Sequence, residues 1–139
     1  MVRITQIEAS RLGELLTAAQ EFYDESGLPD AFQAAPWQHR WTQLLEMGLG
    51  CILIAEDDSG ILGGLGYLLC PDLNTDLCVA VEAFLFVRRP ARQSRVALQL
   101  LAAFEEHAAR DGAVRLRLSA LESSDVRLRT VYARRGYAP

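Results

Sequence analysis

Residues 84–101, FLFVRRPARQSRVALQLL, decide the fold. This stretch begins with four apolar residues typical of a buried strand, continues with four arginines around Pro90, and ends in an apolar helical pattern. A strand that turns directly into a helix exposes the unpaired N–H groups of the first helical turn, and the helix dipole adds partial positive charge there. Phosphates commonly bind at such corners, so the stretch predicts an anion site.

The turn RQSRVA (92–97) supports this prediction in two ways. Ser94 and Ala97 are small, so a ligand can approach the backbone at these positions. Arg92 and Arg95 add guanidinium groups that suit bidentate binding of phosphate oxygens. The alternative is that the arginines are solvated charges that keep an exposed corner soluble, and their spacing leaves both interpretations open.

The elements around this corner follow from hydrophobic periodicity and turn residues. The strand CVAVEAFLFV (78–87) is nearly all apolar, which predicts cover on both of its faces. The other predicted elements are a strand VRITQIE (2–8), a helix capped by Ser10 and stopped by Gly27, a helix from Pro36 to Gly48, hairpin strands over 51–56 and 61–69, a helix over 94–110, a strand over 114–121, and a helix that Ser124 or Asp125 caps and Gly136 ends. The order β-α-α-β-β-β-α-β-α predicts an α/β fold (α+β, with a mixed sheet) in which one sheet lies between helices.

The C-terminal end of the pattern is short of at least one strand. Tyr137 is typical of the first residue of a further strand, and the sequence stops two residues later. Two explanations follow: the sequence is truncated, or a neighbouring chain completes the sheet, which favours a homodimer.

Composition restricts the class of protein. A chain of 139 residues, half of them hydrophobic, predicts one domain over 1–139, with no apolar run long enough for a membrane span and no signal peptide. Three cysteines without a CxxC spacing and two histidines predict free thiols in the cytoplasm and no metal site.

Charge is distributed unevenly along the chain. Residues 1–87 carry 13 acidic groups and 3 arginines, a net charge of -10, whereas residues 88–139 carry 5 acidic groups and 11 arginines, a net charge of +6. This polarity predicts an anionic partner for the second half. A nucleic acid is disfavoured, because the sequence pI is about 5.2 and aromatic residues are not interleaved with the arginines.

Two motifs resemble those of the GNAT-type, acyl-CoA-dependent N-acetyltransferases. The family's Q/R-x-x-G-x-G/A motif corresponds to Arg92-x-x-Arg95-x-Ala97, with arginine in place of the central glycine. The family's N-x-x-A-x-x-x-Y-x-x-x-G-F motif corresponds to a segment that contains Asp125, Tyr132, Gly136 and Tyr137, with Asp for Asn and Tyr for Phe. Element order and the spacing between the motifs also agree, so the resemblance covers nearly the whole chain.

The resemblance implies a binding mode for acetyl-CoA as co-substrate. The pyrophosphate of coenzyme A would lie on the backbone of Arg92, Gln93, Ser94, Arg95, Val96 and Ala97. The pantetheine arm would pair with the edge of strand 78–87 near Phe86 and Val87, where that strand parts from strand 114–121, and Asp125 of the second motif is also assigned to the cofactor site. Arg88 and Arg89 are then expected to be solvated charge only.

The resemblance also suggests catalytic roles. Acetyl transfer requires a deprotonated amine, a polarised thioester carbonyl and a protonated leaving thiolate. Tyr132 is the candidate proton donor. The alternative is that Tyr132 packs on the core and its hydroxyl makes a hydrogen bond without a catalytic role. Glu82 is the candidate general base, because a carboxylate inside an apolar strand is costly unless it is paired or functional; the alternative is an ion pair with Arg115 or Arg117. A main-chain N–H near Val87 would polarise the carbonyl.

The acceptor is expected to be an amine that enters between the first two helices and the 70–77 turn. Residues that would shape such a pocket are Phe22, Tyr23, Asp24, Glu25 and Trp37. The acidic members favour a cationic amine, whereas Trp37 and Trp41, one helical turn apart, are expected to belong to the core. A different class of function, a non-catalytic module that binds acyl-CoA, would use the same fold.

Overall fold

The computed structural model describes residues 1–92, 94–119 and 126–139. Its elements are β1 (Arg3–Gln6), a 3-10 helix (Ala9–Leu15), α1 (Leu16–Ser26), α2 (Ala34–Glu46), β2 (Gly50–Asp57), β3 (Gly60–Pro71), β4 (Cys78–Val87), a short 3-10 helix (Arg89–Ala91), α3 (Val96–Arg110), β5 (Arg115–Arg117) and α4 (Val126–Arg134). The predicted order of helices and strands is confirmed. Gln93 and Asp125, both predicted to contact the cofactor, lie outside the described residues.

The strands form one mixed sheet in the order β1-β2-β3-β4-β5. The first three pairings are antiparallel, and β5 runs parallel to β4. Successive side chains of β2 pack on opposite faces: Leu53 lies in a core with α3, and Ile54 lies in a core with α1 and α2. Both faces of the sheet are therefore covered, which is why the central strands are apolar throughout.

A β-bulge in β4 changes which side chains face α3. Tyr67 of β3 pairs with Glu82 and Gly66 pairs with Phe84, so Ala83 is an extra residue without a partner on β3. Because side chains alternate along a strand, this extra residue reverses the pattern beyond it. Ala80 packs in the core beneath α3, whereas Phe84 packs beneath α1 and α2. The bulge thus allows Glu82 and Phe84 to lie on opposite faces.

Two predicted boundaries are wrong. The strand over 114–121 is shorter in the described residues, since its pairing with β4 ends where Arg117 meets Val81. Ser10 does not cap a helix: it lies inside the 3-10 helix, which starts after Glu8 without a side-chain hydrogen bond. The predicted stop at Gly27 is confirmed, with φ of 74° in the left-handed region that glycine adopts without strain.

Glycines in β3 provide space for the aromatic side chains of β4. Phe84 lies across the pairing from Gly66, and a Cβ at Gly66 would be 2.3 Å from Phe84 Cε2. The ring of Phe84 in turn packs edge-on against Trp41, with centroids 5.5 Å apart. The glycines of the GGLG pattern in β3 therefore leave the space in which Phe84 and Phe86 of β4 pack toward the helices on that face.

Gly66→Ala is expected to lower the free energy of unfolding by about 1–3 kcal/mol, because the added methyl group must displace the Phe84 ring from a packed core. Urea denaturation measures this change. Gly13→Ala is the matched control: the nearest atom to a Cβ there is Gln38 Nε2 at 3.9 Å. Equal stabilities of the two variants would contradict the packing role assigned to Gly66.

No helix in the described parts of the chain is long and apolar enough to cross a membrane. Likewise, no group of three or more His, Cys, Asp or Glu side chains within 1–92, 94–119 and 126–139 is placed to hold a metal ion.

Candidate active site

Strands β4 and β5 separate at Glu82. Their parallel pairing covers Val79 to Val81 of β4, and no described strand pairs with this side of β4 over residues 82–87. We call the space beside residues 82–87 the wedge. The N–H of Arg88 donates to Leu62 O of β3 at 2.8 Å, so the N–H and C=O of Val87, one residue earlier, point the opposite way, into the wedge.

Arg92 lies across the end of the wedge. Its Nε donates to Val87 O at 2.9 Å, and its Nη2 donates to the carboxylate of Glu25 on α1. The Val87 carbonyl lies on the strand edge that the resemblance assigns to the pantetheine arm, and in this structure it already accepts a hydrogen bond from Arg92. Arg92 is therefore placed both at the anion corner and at the strand edge.

Arg88 is also paired with α1, so the expectation that it is only solvated charge is wrong, whereas Arg89 has a side chain that is 77% exposed. Arg88 donates to both carboxylate oxygens of Glu21, at 2.8 and 3.1 Å, and this pairing lowers the pKa of Glu21. Arg89 Nε lies 3.4 Å from Glu25 Oε1. These charges are partly exposed, so each pair is worth little in stability; together they join α1 to the anion corner.

The start of α3 has the geometry of an anion site. Ser94 donates to Ala91 O, and its hydroxyl oxygen accepts the N–H of Val96 at 3.3 Å. Among the described residues, Gln99 makes the first helical hydrogen bond, to Arg95 O, so the N–H groups of Ala97 and Leu98 lie in the first turn, which an α-helix leaves without intrahelical partners.

Arg95, which replaces the family's glycine, has φ of -89° and is exposed. The backbone there does not require glycine, so arginine causes no backbone strain at this position. The side chains of Val96 and Phe86 are buried in the core. Only the backbone of these two predicted cofactor residues is therefore suited to ligand contact.

Glu82 is buried and hydrogen-bonded at the apex of the wedge. Glu82 is only 8% exposed, and Ser119 Oγ donates a hydrogen bond to Glu82 Oε2 at 2.8 Å. Burial raises the pKa of Glu82 to about 7, against the opposing effect of the Ser119 hydrogen bond. The alternative ion pair is wrong, because Arg115 and Arg117 lie 3.9 and 3.8 Å from Asp72 instead.

Tyr132 of α4 also contacts Ser119 at the apex of the wedge. Its hydroxyl donates to Ser119 O at 3.2 Å, and its ring packs at 6.1 Å from the ring of Tyr137. Burial and the nearby Glu82 carboxylate raise the pKa of Tyr132, so the phenol keeps its proton at neutral pH. One residue, Ser119, thereby connects the two predicted catalytic side chains, and no sequence pattern had singled it out.

A cleft of about 1030 Å³ opens between β5, the end of α4 and the last residues. Its lining combines apolar and basic side chains, including Leu116, Leu118, Arg117, Arg129, Tyr132 and Tyr137. Tyr132 therefore forms part of the cleft wall as well as the contact to Ser119.

The predicted acceptor pocket is mostly packed aromatic side chains. Trp37 and Trp41 pack with Phe84; Trp41 is only 6% exposed and belongs to the core as expected, whereas Trp37 is partly buried and packs against that core. Asp24 accepts a hydrogen bond from Gln20, and Glu25 is paired with arginines. The acidic side chains predicted to attract an amine are thus engaged within the protein.

The family model described as the acetyltransferase (GNAT) family matches residues 12–137. This chain belongs to the GNAT acetyltransferase family. The family assignment made from the two motifs is therefore confirmed, although both motifs depart from the usual residues. No protein among the curated sequences matches the chain.

Solved structures share the GNAT fold. One is a predicted acetyltransferase from Clostridium acetobutylicum crystallised with acetyl-CoA, with TM-score 0.83, 15% identity, and coverage of 100% of this chain and 91% of that one. The ribosomal-protein-alanine N-acetyltransferase of Brucella melitensis has TM-score 0.77 at 18% identity, covering 100% and 93%. An aminoglycoside acetyltransferase from an uncultured soil metagenomic sample, in complex with sisomicin, has TM-score 0.78 at 14% identity, covering 99% and 90%. At these identities the likeness concerns the fold.

Proposed function

We propose that this GNAT chain transfers an acetyl group from acetyl-CoA to a primary amine by direct attack in a ternary complex. The observation that carries the proposal is the hydrogen-bonded connection Glu82–Ser119–Tyr132 at the apex of the wedge, in which the exposed Ser119 joins two buried side chains. A carboxylate whose pKa is raised to about 7 and a phenol that keeps its proton are the two states that a base and an acid need at neutral pH.

Residues at the other end of the wedge suit the coenzyme. The N–H and C=O of Val87 face the wedge and match the amides of an extended pantetheine arm. The first-turn N–H groups of α3, with Arg92 beside them, match the pyrophosphate. We propose that Arg92 turns from Glu25 and Val87 O toward the phosphates when acetyl-CoA binds.

The chemistry assigned to the side chains is a proton transfer at each end of the reaction. Bound acetyl-CoA would supply the thioester that the amine attacks. Glu82 accepts a proton from the amine nitrogen, directly or through water, and a main-chain N–H near Val87 donates to the thioester oxygen. As the C–S bond breaks, Tyr132 donates its proton to the sulfur, leaving an amide and the free thiol. Solvent then restores both side chains to their starting protonation states.

The cofactor proposal is tested by the melting temperature of the chain with and without millimolar acetyl-CoA. Acetyl-CoA is expected to raise it, and Arg92→Ala is expected to weaken binding about tenfold, because a charge-assisted hydrogen bond to phosphate is lost. Arg40→Ala, at an exposed position on α2, is the matched control and should bind as the parent does. No stabilisation of the parent chain would overturn the proposal.

Glu25→Gln gives a test of opposite sign. Glu25 holds Arg92 in the absence of ligand. Removing its charge frees the guanidinium, so acetyl-CoA should bind several-fold more tightly than to the parent chain. Weaker binding in both variants would show that Glu25 supports the site instead of competing with the phosphates for Arg92.

The acceptor is tested by thiol release from acetyl-CoA against polyamines, amino acids, aminoglycosides and peptides. Turnover with one class of amine would define the substrate. The second candidate function is a non-catalytic acyl-CoA-binding module. It is favoured by one outcome: stabilisation by acetyl-CoA without thiol release for any amine in the panel.

A further inference from the structure

We propose that Ser119 is a positioning residue for acetyl transfer, and that it holds the general base and the general acid in register with each other. The inference rests on the proposed function, because it assigns Glu82 and Tyr132 those roles. Its basis is geometric: the Ser119 hydroxyl donates to Glu82 Oε2 at 2.8 Å, and the Ser119 carbonyl accepts from Tyr132 Oη at 3.2 Å. A single residue thus contacts side chains from β4 and α4.

The fold explains why a residue at this position can reach both side chains. Ser119 follows β5 by two residues, just past the last pairing with β4 at Val81. Glu82 is the next residue of β4, and the bulge after it turns Phe84 to the other face. The base therefore sits where the strands separate, and Ser119, two residues after β5, lies beside it.

The two contacts differ in what a mutation removes. The bond to Glu82 comes from the side chain of Ser119, whereas the bond from Tyr132 ends on its backbone. Ser119→Ala therefore deletes the first and leaves the second available. Ser119→Thr retains a hydroxyl and should restore the first.

The surroundings of Glu82 make this hydrogen bond consequential. Titratable groups near it are Tyr67, its cross-strand partner on β3, and Tyr132 on α4. Arg117 of β5 lies beside Asp72, and α3 contributes apolar side chains such as Phe104 to this core. Among the described residues, the Ser119 hydroxyl is the group that donates to the buried carboxylate, so it favours the charged form that burial opposes.

The first experiment compares the pH dependence of kcat/KM for thiol release in the parent, Ser119→Ala and Ser119→Thr, using the best amine of the panel. Loss of the donor destabilises the carboxylate, so the acid limb of Ser119→Ala should move up by about one pH unit. At pH values below that limb, kcat/KM of Ser119→Ala should be about tenfold lower than that of the parent, whereas the values on the alkaline plateau should be similar. Ser119→Thr should follow the parent profile.

Ser59→Ala is the matched control, since Ser59 Oγ, in the exposed turn after β2, also donates to a carboxylate, that of Asp57 at the end of β2. Its profile should coincide with that of the parent. A Ser119→Ala profile that coincides with the parent, or one lowered equally at every pH, would overturn the positioning role, because a merely structural residue gives one of these two results.

A second measurement does not depend on turnover. Titration of the Glu82 carboxyl by carbon-13 NMR in the chain without acetyl-CoA should give a higher midpoint in Ser119→Ala than in the parent. An unshifted midpoint overturns the coupling of Ser119 to Glu82 even if the transferase is active. If the parent releases no thiol with any amine, the proposed function falls, and the reaction role of Ser119 falls with it.

Discussion

Tyr132→Phe is expected to lower kcat for acetyl transfer about a hundredfold, with the melting temperature and acetyl-CoA binding close to those of the parent chain. The substitution removes one oxygen, and with it the proton proposed for the leaving thiolate. It leaves the ring, which packs against Tyr137. The structural loss is one hydrogen bond, from Tyr132 Oη to Ser119 O, so the effect on stability should be near 1 kcal/mol.

Tyr137→Phe is the matched control for this prediction. Tyr137 lines the same cleft and donates a hydroxyl hydrogen bond to Glu105 at 3.1 Å, and it makes no described hydrogen bond to Ser119 or Glu82. Steady-state thiol release should be nearly unchanged in this variant. Unchanged turnover in Tyr132→Phe would mean that another group, or solvent, protonates the thiolate. An equal loss in both variants would point to cleft structure instead of proton donation.

Local patterns were sufficient to predict the order of the elements. Helical spacing between 96 and 110, alternation in 2–8, and glycines such as Gly27 and Gly48 all act over a few residues, which is the range that a sequence displays directly. The bulge at Ala83 was not predicted, because its cause lies on another strand. It depends on how β3 pairs with β4 and on the space that Gly66 gives Phe84.

The candidate site could likewise be predicted only in part from the sequence. Glu82 and Tyr132 could be proposed individually, one as a carboxylate in an apolar strand and the other from a motif. Their connection through Ser119 depends on where β5 ends, which no short pattern encodes. The partners of the corner arginines were missed for a related reason: Glu21 and Glu25 are 67 residues away from Arg88 and Arg92. The excess positive charge of the corner arginines predicted an anionic ligand, whereas in the fold carboxylates of α1 bind Arg88 and Arg92.

Glu82→Gln is expected to lower kcat/KM about a hundredfold at about pH 8 and to change its dependence on pH. In the parent, Glu82 acts only when deprotonated, so kcat/KM should rise through about pH 7, the pKa that burial gives this carboxyl. Glutamine cannot accept the proton, and the rise should disappear. Persistence of the same limb in Glu82→Gln would assign the titration to the amine or to another side chain.

The same substitution has a consequence for stability that needs no substrate. Burial raises the pKa of Glu82 from 4.5 to about 7, so the folded chain binds more protons than the unfolded chain between those values. The parent should therefore lose stability as the pH rises through this window, by on the order of 3 kcal/mol, whereas Glu82→Gln should not. Urea denaturation at about pH 4 and about pH 8 compares the two chains, with Glu46→Gln, an exposed carboxylate on α2, as the control. A difference between parent and Glu82→Gln that is the same at both pH values would show that the folded chain does not hold Glu82 in a desolvated, proton-binding environment, and would remove the basis for its role as a base.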